Sequence, residues 1–191
     1  MSYGALNSAD IRVLEKVLAA ACSAPPQPVR VLEIGVHSGS TARGMKEFIE
    51  ARGFAIEYCG VDNGVLTEIK QPFPGAEIVL GDSAEVFHLV PGGFDVLIVD
   101  GAHSRNHVIL DTYNYSPKVR PGGFILFHDT SPEIQQTMRE AYGPDIPEFY
   151  NSVNDALAMI RFPWRGWSFF ASEYEPGHKY GGMTAFRREY A

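Results

Sequence analysis

Three observations predict an α/β fold built on a doubly wound, mostly parallel seven-stranded sheet. Short apolar runs at 30–34, 54–61, 76–80, 94–99 and 123–127 alternate with amphipathic stretches, the order expected of parallel strands with helices on both faces. Two further runs, Trp167–Ala171 and Met183–Arg188, are joined by the Gly- and Tyr-rich stretch 174–182 and read as an antiparallel C-terminal strand pair rather than another crossover. The first run passes directly into spaced glycines and a hydroxyl-rich helix start, Gly35 to Thr41.

The elements follow in order. Ile11, Leu14, Val17, Leu18 and Ala21 lie at helical spacing behind Ser8 and predict a helix over 8–22, stopped by Ala24-Pro25-Pro26-Gln27-Pro28. Strand 30–34 leads into a helix over 40–52, with Ser40 or Thr41 as its cap and Gly53 as its end. Strand 54–61 runs out at Asp62, and strand 76–80 precedes a helix over 83–89 that Asp82 or Ser83 can cap. After strand 94–99, Ser104 caps the next helix and leaves His103 in the loop. With 191 residues, 45% of them hydrophobic, the chain reads as one domain over 1–191: an N-terminal helix and linker over 1–29, then the sheet over 30–191.

A formal net charge of −7 argues against nucleic acid as a partner, because phosphate backbones need a basic face. No apolar run is long enough to span a bilayer, and Met-Ser-Tyr-Gly-Ala lacks the features of a signal peptide, so a cytoplasmic location is expected. Cys22 and Cys59 have no metal-site spacing and read as buried free thiols.

In open α/β sheets ligands sit beyond the carboxyl ends of the strands, so the polar residues there carry the functional reading. Gly35 and Gly39 allow a sharp turn and close backbone approach to a ligand, with Val36, His37, Ser40 and Thr41 alongside. Glu33 would repel a pyrophosphate, but can hold, directly or through water, the ammonium of an amino-acid-bearing nucleoside. That favours S-adenosylmethionine over NAD, as does the gap from Gly35 to Asp62, wider than the about 20 residues of a dinucleotide fingerprint. Asp62, with Asn63 beside it, is placed to accept both ribose hydroxyls, and Asp82 and Ser83 to read the adenine edge. The fourth and fifth strands end in Asp100-Gly101-Ala102-His103 and His128-Asp129. Asp100, His128 and Asp129 form a partial shell for a divalent cation, and His103 is the base that removes an acceptor's hydroxyl proton. Asp95, inside its strand, reads as structural. His103, His107 and Asp111 would share a helix face only if the helix began at His103; with Ser104 as cap, His107 and Asp111 read as packed or solvated helix residues.

Glu-Ile-Gly-Val-His-Ser-Gly-Ser-Thr, 33–41, resembles the first motif of class I methyltransferases in the Glu-x-Gly-x-x-x-Gly form of the catechol O-methyltransferase-like branch. Val-Asp-Gly-x-His followed by Gly-Gly-x-x-x-x-His-Asp is similar to the branch linked to antibiotic and sugar modification, and the resemblance runs from Val31 to Arg188. It implies a Rossmann-like fold, S-adenosylmethionine as cofactor and methyl transfer to a hydroxyl of a small-molecule acceptor. It also implies Mg²⁺ ligands at Asp100, His128 and Asp129 and a catalytic base at His103. His128 departs from the Asp or Glu of many relatives, so Mn²⁺, Fe²⁺, Zn²⁺ or no metal stay open beside Mg²⁺. Tyr142–Tyr150, with Phe149 and Tyr150, and Trp164 are expected on the acceptor side. At least half of the aromatics Phe162 to Phe170 are expected in the core. Leu14 and Val17 serve either the sheet or a second copy in a homodimer. An NAD-dependent oxidoreductase and a non-catalytic adenosyl-binding module are the alternative readings.

Overall fold

The computed structural model describes residues 6–23, 28–64, 71–134, 153–177 and 181–189. Its elements are α1 (Ser8–Ala21), β1 (Val29–Ile34), α2 (Ser40–Glu50), β2 (Ile56–Asp62), β3 (Glu77–Leu80), α3 (Ser83–Val86), β4 (Phe94–Val99), α4 (Arg105–Tyr115), β5 (Val119–His128), α5 (Val153–Met159), β6 (Trp167–Glu173) and β7 (Met183–Arg188). The strands form one seven-stranded sheet in the order β3-β2-β1-β4-β5-β7-β6. The first five are parallel, and β7 runs antiparallel between β5 and β6. Strand order therefore reverses between β1 and β4, which places the crevice of a doubly wound sheet at their carboxyl ends.

The central strands are mainly apolar because both faces are covered. Alternation sends Val31, Val96, Ile98, Phe124 and Leu126 into a core shared with α1 and α2. Leu32, Ile34, Leu97, Val99, Ile125 and Phe127 face the opposite core, shared with α4 and α5. Leu14 and Val17 are fully buried against the chain's own sheet, so they are not available to a second copy. Cys22 and Cys59 are buried free thiols.

Several boundaries move for local reasons. Asn7, not Ser8, caps α1: its side chain accepts the Ala9 and Asp10 N–H groups while Asp10 accepts the Asn7 N–H in return. The cap of α2 is Gly39 in the left-handed region, with Ser40 and Thr41 already inside the helix. Asp82 caps α3, which is only one turn long and passes into a 3₁₀ turn over Phe87–Leu89. Strand β5 begins at Val119, four residues before the apolar run at 123, because Val119 pairs with Phe94 across an irregularity at Asp95. Pro121-Gly122 looks like a turn in sequence, but the strand continues through it.

The aromatic segment divides. Phe162 is buried against Phe127, Trp167 and Phe186, Phe170 packs on Phe124, and Phe169 is 62% exposed. Trp164 stacks on Tyr113 at 5.2 Å and packs against the core shared with α4 and α5, away from the crevice. Its expected place beside an acceptor is thereby corrected. Tyr142–Tyr150 lie outside the described residues.

Gly35 is the tightest point of the crevice. Its φ is +90° and an added Cβ would lie 2.2 Å from the Asp100 carbonyl oxygen and 2.8 Å from the Gly101 Cα. That neighbour is backbone and cannot step aside. Gly35→Ala should lower stability by about 3 kcal/mol, read as a fall in the urea midpoint at unchanged m-value.

Candidate active site

A cavity of about 530 Å³ opens at the carboxyl ends of β1, β2 and β4, within the range of small-molecule and cofactor sites. Its wall contains Gly35, Val36, His37, Ser40 and Thr41 from the first loop, Asp62 and Asn63 after β2, Asp82 and Ser83 after β3, and Asp100, His103 and His128 at its far end. Of the residues expected to bind the cofactor, only Glu33 and Gly39 are not on this wall.

Asp62 shapes the loop as well as lining the cavity. Its Oδ2 accepts the N–H groups of Val36 and His37, each at 2.9 Å, and its Oδ1 accepts that of Gly64 at 2.8 Å. The first pair holds His37 at a φ of +49°, and Oδ1 is the oxygen with acceptor capacity left. Asp82 accepts the Ala84 N–H at 2.9 Å and stands 3.8 Å from His107 Nε2. His107 is thus a wall residue, not simply a packed or solvated one. Its ring is fixed by a 2.8 Å contact between Nδ1 and Ser104 Oγ, a consequence of Ser104 starting the helix three residues earlier. Behind this end, Asp111 is fully buried on α4, and burial pushes its carboxyl up to about 6.

Glu33 lies beneath the loop, 1% exposed, and accepts a hydrogen bond from the Tyr58 hydroxyl. Burial drives its carboxyl up to about 8, against the Tyr58 hydrogen bond and reinforced by the charges of Asp100 and Asp62.

At the other end five ionisable groups interlock. His128 faces Asp100 Oδ1 with Nδ1 at 2.8 Å and Asp10 Oδ2 with Nε2 at 3.2 Å. His103 faces Asp100 Oδ1 with Nε2 at 3.1 Å and Asp129 Oδ2 with Nδ1 at 3.1 Å. Burial opposes charge on both rings, but Asp100, with Asp10 and Asp129, outweighs it. His103 is raised above the ordinary imidazole value and His128 well above it. Burial likewise opposes the charge on Asp100, but the two histidines hold it below the usual carboxylate range.

Among the described residues, donor atoms of Asp100, His103 and His128 lie within 4.8 Å of one another. Asp129, expected as the third ligand, stands one step back. Its backbone takes a φ of +59°, its Oδ1 accepts the Gly181 N–H at 2.8 Å and its Oδ2 meets His103. Asp10 has no strand-end position or motif to mark it in sequence, and it reaches the cluster from the first turn of α1. It also accepts the Gly182 N–H at 2.8 Å, so consecutive N–H groups of one turn hold both outer carboxylates. Asp95, by contrast, accepts the Arg30 N–H at 2.7 Å and pairs with Arg120, the structural role expected of it.

The Glu33 carboxyl sets a pH signature. An unfolded glutamate titrates near about 4.3 and the folded group near about 8, so the native state holds the proton more tightly between these values. Its contribution to stability is complete below the lower value and is lost as pH rises through the upper one. Wild type should therefore decline relative to Glu33→Gln by on the order of 1 kcal/mol per pH unit across that window, measured by urea unfolding at several pH values. Parallel curves for the two proteins would place the proton elsewhere.

Residues 32–130, just over half the chain, match the family model described as a methyltransferase domain. The chain is 25% identical over 115 residues to the citrinin polyketide synthase of Monascus ruber, covering 56% of this chain but only 4% of that protein. Among solved structures, the cofactor-bound protein Rv0187 from MTB superposes with a TM-score of 0.68 at 15% identity, over 97% of this chain and 83% of that one. The O-methyltransferase TomG from Streptomyces achromogenes, solved with SAM, gives 0.63 at 15% identity, over 92% of this chain and 78% of that one. These likenesses establish the fold, and the family match sets the oxidoreductase alternative aside. With its strand order, its crevice and its first loop in agreement, the chain belongs to the methyltransferase-domain family.

Proposed function

We propose that this methyltransferase uses S-adenosylmethionine to methylate a hydroxyl of a small-molecule acceptor. The observation that carries the reading is the cavity itself: a nucleoside-sized space walled by Asp62 and Asp82 at one end and by Asp100, His103 and His128 at the other. The ribose hydroxyls fall to Asp62 Oδ1 and Asn63, the adenine to Asp82, Ser83 and His107, and the methionine end to the Gly35–Thr41 loop. Glu33, buried under that loop and hydrogen-bonded to Tyr58, supports the loop and does not contact the ammonium.

Transfer joins the acceptor oxygen to the sulfonium methyl carbon as the carbon–sulfur bond breaks, and the hydroxyl proton must leave. His103 is placed to take it. Its side chain is the most exposed of the two rings, and Asp129 on Nδ1 fixes the ring so that Nε2 faces the cavity beside Asp100. Mg²⁺, which the resemblance implies, calls for oxygen donors. The inner donors here are one carboxylate and two imidazoles, and Asp129 is engaged with Gly181 and His103. The set does not suit Mg²⁺, and the proton transfer needs none. Among the described residues no helix is long and apolar enough to cross a membrane. The single-domain organisation over 1–191, a cytoplasmic location and a homodimer remain part of the proposal, the last through a surface other than Leu14 and Val17.

Isothermal titration with S-adenosylhomocysteine should give binding near the micromolar range, about −8 kcal/mol, with NAD silent; tight NAD binding instead would sink the cofactor assignment. Asp62→Ala should weaken that binding at least tenfold. In protein treated with chelator, His103→Ala should cut transfer of labelled methyl to a hydroxylated acceptor by about a hundredfold or more while cofactor binding holds. An unchanged rate would remove His103 as the base.

A further inference from the structure

We propose that Asp10, carried by α1, is a positioning residue of the methyl-transfer site: through His128 it holds Asp100, and through Asp100 the base His103. The role rests on the proposed function, while the contacts that exert it stand apart from that reading. They form one chain of hydrogen bonds across three elements. Asp10 Oδ2 meets His128 Nε2 at 3.2 Å, His128 Nδ1 meets Asp100 Oδ1 at 2.8 Å, and the same oxygen meets His103 Nε2 at 3.1 Å. Asp100, His103 and His128 line the cavity and Asp10 lies behind them, so Asp10 acts on the cavity by way of the His128 ring.

The surroundings of Asp10 ask for more than a helix cap. A carboxylate in the first turn of a helix serves the cap and the helix dipole equally well from the surface, yet Asp10 is 1% exposed. Burial costs a carboxylate its water unless its oxygens are satisfied in another way, and here three N–H groups satisfy them. Gly182 donates to Oδ1 at 2.8 Å, Asn7 donates to Oδ2 at 3.1 Å, and His128 Nε2 supplies the third. The fit is close, since a Cβ added at Gly181 would lie 3.0 Å from Asp10 Oδ2 and would collide with the Asn7 side chain. Helix and turn thus close on the carboxylate from two sides and leave it directed at the ring.

The effect on the ring is specific. With a carboxylate on each nitrogen, a half-turn of His128 about its Cβ–Cγ bond would set ring carbon against both carboxylates, so one orientation is kept. The ring fixes Asp100 in turn, because Oδ1 is occupied by two imidazoles and cannot rotate without losing both. His103 then has both nitrogens placed, Nε2 by Asp100 and Nδ1 by Asp129. Asp10→Asn keeps the shape but has one acceptor oxygen, so at least one of the three N–H groups must face its amide nitrogen.

The test reads the imidazole nitrogen shifts by NMR in full-length protein carrying isotope-labelled histidine, with signals assigned by His103→Gln and His128→Gln. In wild type both His128 nitrogens should carry hydrogen-bonded protons; a lone pair on Nε2 would overturn the proposal before any other variant is made. Asp10→Asn should alter the His103 shifts, although Asp10 does not touch that ring. It should also lower kcat for transfer of labelled methyl to catechol, the probe acceptor, about 10- to 100-fold while S-adenosylhomocysteine affinity holds. Asp10→Glu, which keeps a carboxylate at a helix position that glutamate fills in capping boxes, should recover most of that rate. Asn7→Ala removes a cap of the same helix but leaves the Asp10 carboxylate, and should lower stability with the His103 shifts and the rate unchanged. Unaltered His103 shifts in folded Asp10→Asn, or equal losses in Asn7→Ala, would reduce Asp10 to a helix cap. Failure of wild type to bind S-adenosylhomocysteine or to methylate catechol would count against the proposed function alone, and the ring shifts would then decide the Asp10 contact by themselves.

Discussion

The imidazole of His128, buried between Asp100 and Asp10, is the constraint around which the molecule is arranged. A charge in that position is tolerated only when its partners are paired and hydrogen-bonded in turn, and those partners come from distant parts of the chain. Asp100 ends β4, His128 ends β5 and Asp10 lies in the first turn of α1. The helix is therefore not a cover added to the sheet but a contributor to its chemistry. Removing any one of these groups leaves the others short of a partner at a mostly buried position, a heavier penalty than the loss of one surface ion pair.

Local strain follows the same geography. Among the described residues, left-handed backbone at non-glycine positions occurs at His37, Asp129 and Arg161, and two of the three border the cavity or its inner cluster. His37 is held there by the Asp62 carboxylate and Asp129 by its grip on Gly181. Unfavourable backbone persists only where the surroundings over-determine it, and here they do so where a ligand would be met. The switch point between β1 and β4 supplies the rest: Gly35 donates to Val61 and Asp100 to Ile34, so three strand ends are tied before any ligand arrives.

The sheet could be read from the chain because each buried strand is a run of apolar residues between turn residues, a local pattern that needs no knowledge of the partner strand. The strand-end residues Asp62, Asp82, Asp100, His103 and His128 were legible for the same reason. Distances across the sheet were not. Asp10 acts 118 positions away from His128, and no local spacing encodes that contact. Glu33 and Asp129 were recognised as site-region carboxylates, but their burial and their satisfied oxygens depend on Tyr58 and Gly181, residues with no marked pattern of their own. Caps shifted by one residue, from Ser8 to Asn7 and from Ser40 to Gly39, because several neighbouring residue types can fill a cap and only backbone geometry chooses among them.

The turn at Gly181-Gly182 bears on the order in which the molecule comes together. Its consecutive N–H groups anchor Asp129 and Asp10, and an added Cβ at Gly182 would meet the Ser131 backbone at 2.5 Å. A ribosome delivers α1, the parallel strands and His128 well before it delivers this turn. The nascent chain can thus build most of its hydrophobic core while the carboxylates behind both imidazoles still lack their anchors. A chain stalled before residue 181 would lack both the N–H groups that hold the outer carboxylates and β7, the strand that joins β5 to β6.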